Sequence, residues 1–277
     1  MSLSILINEY WHFILLIVFA AAAVGFFAGL FGIGGGLISV PCLFFIFETL
    51  NIEKDFLMHL TVGTAFTITI FTSSASVFTH YKNKLVDLNV VKTFGLFVVT
   101  GVIMGTIFAS LMSTKSLVLF FSIIVYFFGA YLMLSNEKIK KISINRAFLS
   151  KAVFGLMSGF ISAPMGITGA MMNVPLLRYL GYPISKCIGT AATIGLFISL
   201  TGSLGFLISG FYFSVNLPFS VGFVNIPVFL LFVPITTIMA RYGANTVYKM
   251  NKVKTQRLFG VFLYAVGTIF IYRFFNI

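Results

Sequence analysis

The sequence predicts an all-α polytopic membrane protein, built from two inverted-topology repeats of about five helical elements each. Its composition is the first reason, because 59% of the 277 residues are hydrophobic and only 9% are charged. A soluble domain carries about 25% charged residues. Long uncharged stretches and an internal repeat are the other two reasons. Each repeat is expected to open with a helix pair that is broken, or re-entrant, at glycines.

Long uncharged stretches indicate the membrane-crossing segments. Asp, Glu, Lys and Arg are absent from residues 93–114, 116–136, 152–177 and 187–240. About 20 apolar residues cross a bilayer as a helix, so the last stretch must hold two crossings. Its break is expected at 209–218, where Gly210, Asn216 and Pro218 cluster.

The repeat becomes visible when the chain is shifted by 134 residues. Residues 21–43 (AAAVGFFAGLFGIGGGLISVPCL) and 155–177 (GLMSGFISAPMGITGAMMNVPLL) are identical at eight of 23 positions. Further along, VGTAFTI at 62–68 matches IGTAATI at 188–194 at five of seven positions. Glycine, proline and threonine therefore agree in order, twice, which indicates an internal duplication.

The elements follow in order along each repeat. The first repeat, 1–135, is expected to contain a broken pair at 11–31 and 37–50, then helices at 58–81, 91–112 and 116–134. A cytoplasmic connecting loop is expected at 136–149. The second repeat, 150–277, is expected to contain a broken pair at 150–163 and 171–180, then helices at 185–209, 217–239 and 253–275. Five elements is an odd number, so the second repeat enters the membrane upside down relative to the first.

The distribution of basic residues tests this topology independently. The central loop carries Lys138, Lys140 and Lys141, which places it in the cytoplasm by the positive-inside rule. With alternating crossings from there, 15 of the 18 Lys and Arg residues face inside. The exceptions are Lys54, Lys115 and Arg273. Both termini are then outside, and the protein is expected in the plasma or inner membrane.

Two glycine-rich stretches interrupt the broken pairs. Residues 29–41 read GLFGIGGGLISVP, with three consecutive glycines at 34–36. The segments 150–163 and 171–180 reach about 21 and about 15 Å, short of a hydrocarbon core of about 30 Å. We therefore expect a helical hairpin that enters from the cytoplasm and turns near mid-membrane at Gly166–Gly169. Its first-half counterpart turns at Gly32–Gly36.

Each turn delivers the N-terminus of a short helix to the interior of the membrane. Unpaired N–H groups and the helix dipole make such a terminus a natural site for a small anion. Neither motif contains Lys or Arg, so selectivity is expected to depend on N–H and hydroxyl donors. The candidate substrate-binding residues are the turn glycines, the residues before each Val-Pro pair and the threonines of the Gly-Thr pairs: Gly34, Gly35, Gly36, Ser39, Thr64, Gly166, Gly169, Asn173 and Thr190.

Structural interpretations of the same residues stay open. Small residues spaced four apart, such as Gly25 and Gly29, also let membrane helices pack closely. Thr64 and Thr190 can also bond the backbone of their own helices. A dinucleotide-binding loop is excluded at 32–36 by its membrane setting, and because no strand precedes it.

The duplicated pattern resembles the sulfite exporter (TauE/SafE-type) transporter family. The residues that carry the resemblance are GIGGGLISVPCL with VGTA, and GITGAMMNVPLL with IGTA. The late segment MARYGANTVYKMNKVKTQRLFGVFL is similar to the closing segment of that family. In the second copy Thr168 and Ala170 stand where the first copy has glycines. The resemblance implies transport of a small anion, often a sulfur oxyanion or an organosulfonate.

The sequence thus predicts a secondary transporter that moves a small anion by alternating access around a mid-membrane site. An anion channel that uses the same site is the alternative. A membrane-embedded enzyme needs a nucleophile with its base, or a metal triad, and three His and two Cys assemble neither. No cofactor or metal is expected. The net charge of +12 lies in short loops, which indicates topology signals rather than nucleic-acid binding, and no oligomeric state is predicted.

Overall fold

The computed structural model describes residues 3–31, 35–134, 148–247 and 252–276, and these residues fold almost entirely into helices. In chain order the helices are α1 Leu3–Phe31, α2 Gly36–Thr49, α3 Leu57–Lys82, α4 Leu88–Leu111, α5 Thr114–Leu134, α6 Phe148–Met165, α7 Ala170–Tyr179, α8 Ile184–Tyr212, α9 Ile226–Val247 and α10 Lys252–Asn276. The predicted all-α class is confirmed. The basic residues Lys138, Lys140 and Lys141 lie outside the described residues.

Seven of the described helices are long and apolar enough to cross a membrane: α3, α4, α5, α6, α8, α9 and α10. The expectation that the segment 150–163 falls short of a crossing is wrong, because α6 extends over 18 residues, from Phe148 to Met165. Helix α2 and the segment Ile14–Leu30 of α1 are apolar but shorter. Many large apolar side chains are exposed on the outside of the bundle, among them Leu96, Phe127 and Leu204. Such a surface is suited to lipid, and the chain is a multi-pass membrane protein.

The predicted helix at 217–239 is wrong about its start, because α9 begins at Ile226. The residues before it form a small antiparallel hairpin of β1 (Ser220–Val221) and β2 (Val224–Asn225). The Asn225 side chain accepts a hydrogen bond from the Val228 amide at 3.1 Å and so fixes where α9 starts. Apolar residues continue through this hairpin, so composition alone does not mark its boundary.

Helices α3 and α8 cross at the centre of the bundle. Thr67 and Ser203 are joined through their hydroxyls at 2.7 Å, and Thr69 donates to Ser199 at 3.1 Å. Residue numbers rise along α3 as their partners fall along α8, so the two helices are antiparallel.

Helices α5 and α10 are also antiparallel. Gln256 donates to the carbonyl of Leu132 at 2.9 Å, and Tyr126 is joined to Thr268 at 2.7 Å. These two helices are the last elements of the two halves, as α3 and α8 are the third elements of each.

Two further helix pairs pack along their lengths, α1 against α9 and α4 against α6. Glycines make the close approach possible. A methyl group on Gly25 would lie only 2.6 Å from the carbonyl oxygen of Thr236, and one on Gly105 only 2.5 Å from the carbonyl oxygen of Phe160. Helix α1 takes the same place in the first half as α6 in the second, and α4 the same place as α9. Exchanging the halves therefore converts the α1–α9 pair into the α6–α4 pair. The main pairings are thus unchanged when the halves are exchanged.

Candidate functional site

The short helices α2 and α7 begin in the same way. Each is preceded by a glycine in the left-handed conformation, Gly35 with φ of 85° and Gly169 with φ of 66°. The carbonyl of Gly35 accepts from the amides of Ile38 and Ser39, and that of Gly169 from the amides three and four residues on. Glycine adopts a positive φ without the strain that a side chain brings. A left-handed glycine therefore precedes both helices, and residues 32–34 of the first predicted turn lie outside the described residues.

The start of α2 lies against the second turn. A methyl group on Gly36 would lie 2.5 Å from the carbonyl oxygen of Gly166 and 3.0 Å from the Cα of Ile167. One on Gly166 would lie 2.8 Å from Cγ2 of Val40. The start of α2 and the residues that follow α6 are therefore in direct backbone contact.

The second turn, residues 166–169, lies beside the middle of α8. Gly195 approaches the carbonyl of Thr168, and Gly169 approaches the side chain of Ile198. Helix α8 runs from Ile184 to Tyr212 and is long enough to span a membrane. Its middle lies at residue 198, so the N-terminus of α7 is placed halfway along a spanning helix.

Polar side chains gather at the start of α7. Asn173 is fully buried, and its side-chain oxygen accepts a hydrogen bond from the hydroxyl of Ser158 on α6. Its side-chain nitrogen has no partner within the described chain, and neither does the fully buried hydroxyl of Ser162. In α2 the corresponding residue, Ser39, donates to the carbonyl of Gly35 at 3.0 Å.

The Gly-Thr pairs occupy a different place from the two turns. Thr64 accepts a hydrogen bond from the main-chain amide of Asn225 at 3.0 Å, and Thr190 accepts one from the amide of Asp87 at the same distance. Gly63, just before Thr64, faces the carbonyl of Phe223, and Gly189, just before Thr190, faces the carbonyl of Leu85. Neither glycine has room for a methyl group. The motif therefore holds the loop that leads into α9 or α4.

Asp87 and Asn225, which sequence reasoning did not single out, are the N-caps of these two helices. The carboxylate of Asp87 accepts from the amides of Asn89 and Val90 at 3.1 and 3.2 Å. Asn225 caps α9 through Val228. Asp or Asn before an apolar run is a known helix-start signal, and it could have located both residues.

Of the predicted site residues, the structure brings Gly35, Gly36, Ser39, Gly166, Gly169 and Asn173 to the two turns and the first turns of α2 and α7. It places Thr64 and Thr190 at the helix-capping loops. Gly34 lies outside the described residues. The described residues contain no group of three or more His, Cys, Asp or Glu that could hold a metal ion.

The fold defines a class: a multi-pass membrane protein in which glycines in the left-handed conformation precede the short helices α2 and α7. The model of the sulfite exporter TauE/SafE family matches residues 17–270, and the chain belongs to this family.

Curated relatives are similar over most of their length. A probable membrane transporter protein of Haemophilus influenzae is 27% identical over 255 residues, covering 92% of this chain and 97% of the relative. One of Methanocaldococcus jannaschii is 30% identical over 228 residues, covering 80% and 82%. A third, from Bacillus subtilis, is 27% identical and covers 72% and 79%. No solved structure matches the chain significantly.

Proposed function

We propose that the protein is a secondary transporter of a small anion, such as sulfite, thiosulfate or an organosulfonate, bound between the two turns. The observation that carries the proposal is the contact between Gly36 and Gly166, which brings the two breaks together. Amides at the starts of α2 and α7 lack acceptors in a preceding helical turn, and both dipoles are positive there. The names of the relatives support transport rather than catalysis.

Alternating access is proposed to arise from an inverted repeat. The third and fifth elements of the two halves, α3 with α8 and α5 with α10, cross antiparallel. The close pairs α1–α9 and α4–α6 are exchanged when the halves are exchanged. Both observations support two halves of opposite orientation, of which one rocks against the other around the bound anion.

The proposed orientation follows the basic residues. The turn between α3 and α4, with Lys82 and Lys84, faces the cytoplasm, and the α8–α9 loop faces outside, in the plasma or inner membrane. Both termini are then outside.

Counterflow in proteoliposomes tests the function. Vesicles that contain purified protein and are loaded with unlabelled sulfite or thiosulfate should take up the labelled anion faster than unloaded vesicles, and uptake should saturate. An anion channel gives single-channel currents and no stimulation by the anion on the opposite side. Absence of any protein-dependent anion flux for every anion tested would refute the proposal.

A further inference from the structure

A cleft opens between α4 and α8 on the outside of the bundle. Ten residues line it, and its volume is about 520 Å³. Its rim is apolar and faces lipid, since Ile103, Ile107 and Ile208 are 48%, 59% and 63% exposed. Sites for small ligands in proteins have volumes of about 300–1,000 Å³. The cleft therefore has the size of a ligand site and an entrance from the side of the membrane.

The helices that form the cleft are parallel and finish at the same end of the bundle. A methyl group on Gly95 would lie 3.4 Å from Cγ1 of Ile194. One on Gly205 would lie 2.6 Å from Cγ2 of Thr106, so residue numbers rise together along α4 and α8. Thr106 lies five residues before the end of α4, and Ser209 three before the end of α8. At 1.5 Å per residue, these residues are about 8 Å and about 5 Å from the helix ends.

This position corresponds to the boundary of the hydrocarbon core. Helix α4 has 24 residues and α8 has 29. A hydrocarbon core of about 30 Å is shorter than both helices, so a centred α4 extends beyond it by about 3 Å at each end and α8 by about 7 Å. Thr106 is then just inside the boundary, and Ser209 is just outside it. The ester carbonyls of a phospholipid, which join its headgroup region to its acyl chains, lie at the same depth.

Two hydroxyls at the cleft lack hydrogen-bond partners. The side-chain oxygens of Thr106 and Ser209 are buried and have no partner within the described chain. Other hydroxyls of α4, such as those of Thr100 and Ser110, donate to carbonyls of their own helix. Buried polar groups are nearly always hydrogen-bonded, because an unpaired group is costly in an apolar environment. Rotation about a single Cα–Cβ bond turns either hydroxyl towards the cleft, where a ligand can accept from it.

An ester-linked phospholipid supplies what the cleft lacks. Its acyl chain matches the apolar walls, and its carbonyl oxygens are acceptors at the depth of the two hydroxyls. None of the ten lining residues is charged, so the cleft is unsuited to a small anion. A stable protein interface takes about 20–30 residues from each side, more than twice what this cleft offers.

We propose that the cleft binds one phospholipid, with an acyl chain between α4 and α8 and an ester carbonyl that accepts from Thr106 and Ser209. Because α4 belongs to the first half and α8 to the second, the lipid contacts both halves. The cleft begins at Gly205, ten residues beyond the Gly195 that contacts the second turn. About 15 Å of helix therefore separates the lipid from the two turns, and the inference does not depend on the proposed anion transport.

The test is native mass spectrometry of the full-length protein in detergent, titrated with dioleoyl phosphatidylcholine or with its diether analogue. The diether has the same headgroup and the same chains but lacks the ester carbonyls. We expect one tightly bound diester lipid per protein. The diether should bind about fivefold more weakly or worse, as expected for loss of one or two neutral hydrogen bonds.

Two variants and a matched control locate the site. Thr106→Val and Ser209→Ala should each weaken binding of the diester by about fivefold and leave binding of the diether unchanged. Ser110→Ala is the control, because Ser110 lines the same cleft but its hydroxyl is already bonded to the carbonyl of Ile107 at 2.8 Å. Its affinity should stay within about twofold of the wild type. In lipid-free detergent both variants should melt at the wild-type temperature or higher, since neither lost hydroxyl has a partner in the protein.

Equal affinities of the wild type for diester and diether would overturn the inference even if a variant failed to fold. Binding by Thr106→Val and Ser209→Ala that matches Ser110→Ala would overturn it as well. Lipid that binds only to the monomer of a dimeric protein would assign the cleft to a second copy of the chain, against the proposal. None of these measurements involves an anion, so their failure leaves the proposed function untouched.

Discussion

The hydroxyl of Thr64 and the main-chain amide of Asn225 are joined by a 3.0 Å hydrogen bond between the two halves of the protein. The second half repeats it, because Thr190 binds the amide of Asp87 in the first half at 3.0 Å. Each half thus holds the helix-capping loop of the other. The threonines of the Gly-Thr pairs are therefore placed to brace the two halves, and the substrate binding expected of them from the sequence stays a prediction.

Replacing Thr64 or Thr190 by valine should therefore lower stability. Valine keeps the shape of the side chain but leaves the amide of Asn225 or Asp87 without its acceptor, at a cost of about 1–3 kcal/mol. The melting temperature of detergent-solubilised protein measures the effect. Thr100→Val is the matched control, because Thr100 is exposed and bonds only its own helix at Leu96. Equal melting temperatures for all three variants would contradict the bracing role.

The N-caps should be interchangeable between the halves. The variant Asp87→Asn gives α4 the same cap residue that α9 has, an asparagine. The melting temperature of this variant should therefore stay close to that of the wild type. Asp87→Ala removes the acceptor for the Asn89 and Val90 amides and should cost about 1 kcal/mol. A stability of Asp87→Asn as low as that of Asp87→Ala would show that the charge, rather than the cap, is what matters.

Substitution of Gly35 or Gly169 should weaken anion binding more than substitution of a glycine with positive φ elsewhere in the chain. Gly169→Leu and Gly35→Leu introduce a side chain at positive φ and into the contact region, so anion binding should be abolished. Gly181→Ala is the control, since Gly181 has φ of 87° but nothing within 4 Å of a methyl group. Correct insertion is checked by gel filtration. Unchanged affinity in both leucine variants would refute the site assignment.

The orientation of the helices has its own test. Lys84 and Ser214 each lie two residues after a spanning helix, at the ends of the antiparallel α3 and α8, and both are exposed. In a background with Cys42 and Cys187 replaced by serine, Ser214→Cys should react with a membrane-impermeant maleimide applied outside intact cells. Lys84→Cys should react only after permeabilisation. The reverse pattern would invert the proposed topology, and equal labelling would contradict the antiparallel crossing.

Sequence alone predicted the ten helices, because uncharged length and glycine breaks leave few alternatives in a membrane. The start of α1 differs, at Leu3 rather than Trp11, since composition detects only the apolar part of a helix. The hairpin before α9 was missed because Phe223 and Val224 are as apolar as a helix that crosses lipid.

The candidate site was only partly predictable. The positive φ of Gly35 and Gly169 was foreseeable from glycine next to a helix start, and the repeat pointed to Asn173. The unpartnered hydroxyl of Ser162 was not foreseeable, because a serine inside a helix gives no signal of which neighbours it lacks. The bonds of Thr64 and Thr190 join residues more than a hundred positions apart, so no local pattern reveals them.

The hairpin at 220–225 makes the connections in the two halves unequal. Asn225 ties it to Pro218 and Ser220, whereas the corresponding connection between α3 and α4 is a short turn. A perfectly two-fold carrier has equal energies when open to either side and therefore no resting preference. In the alternating access proposed above, the hairpin on one side and the short turn on the other would give the two open states different energies, and exchange of this one loop between the halves would be a route to reversing the bias.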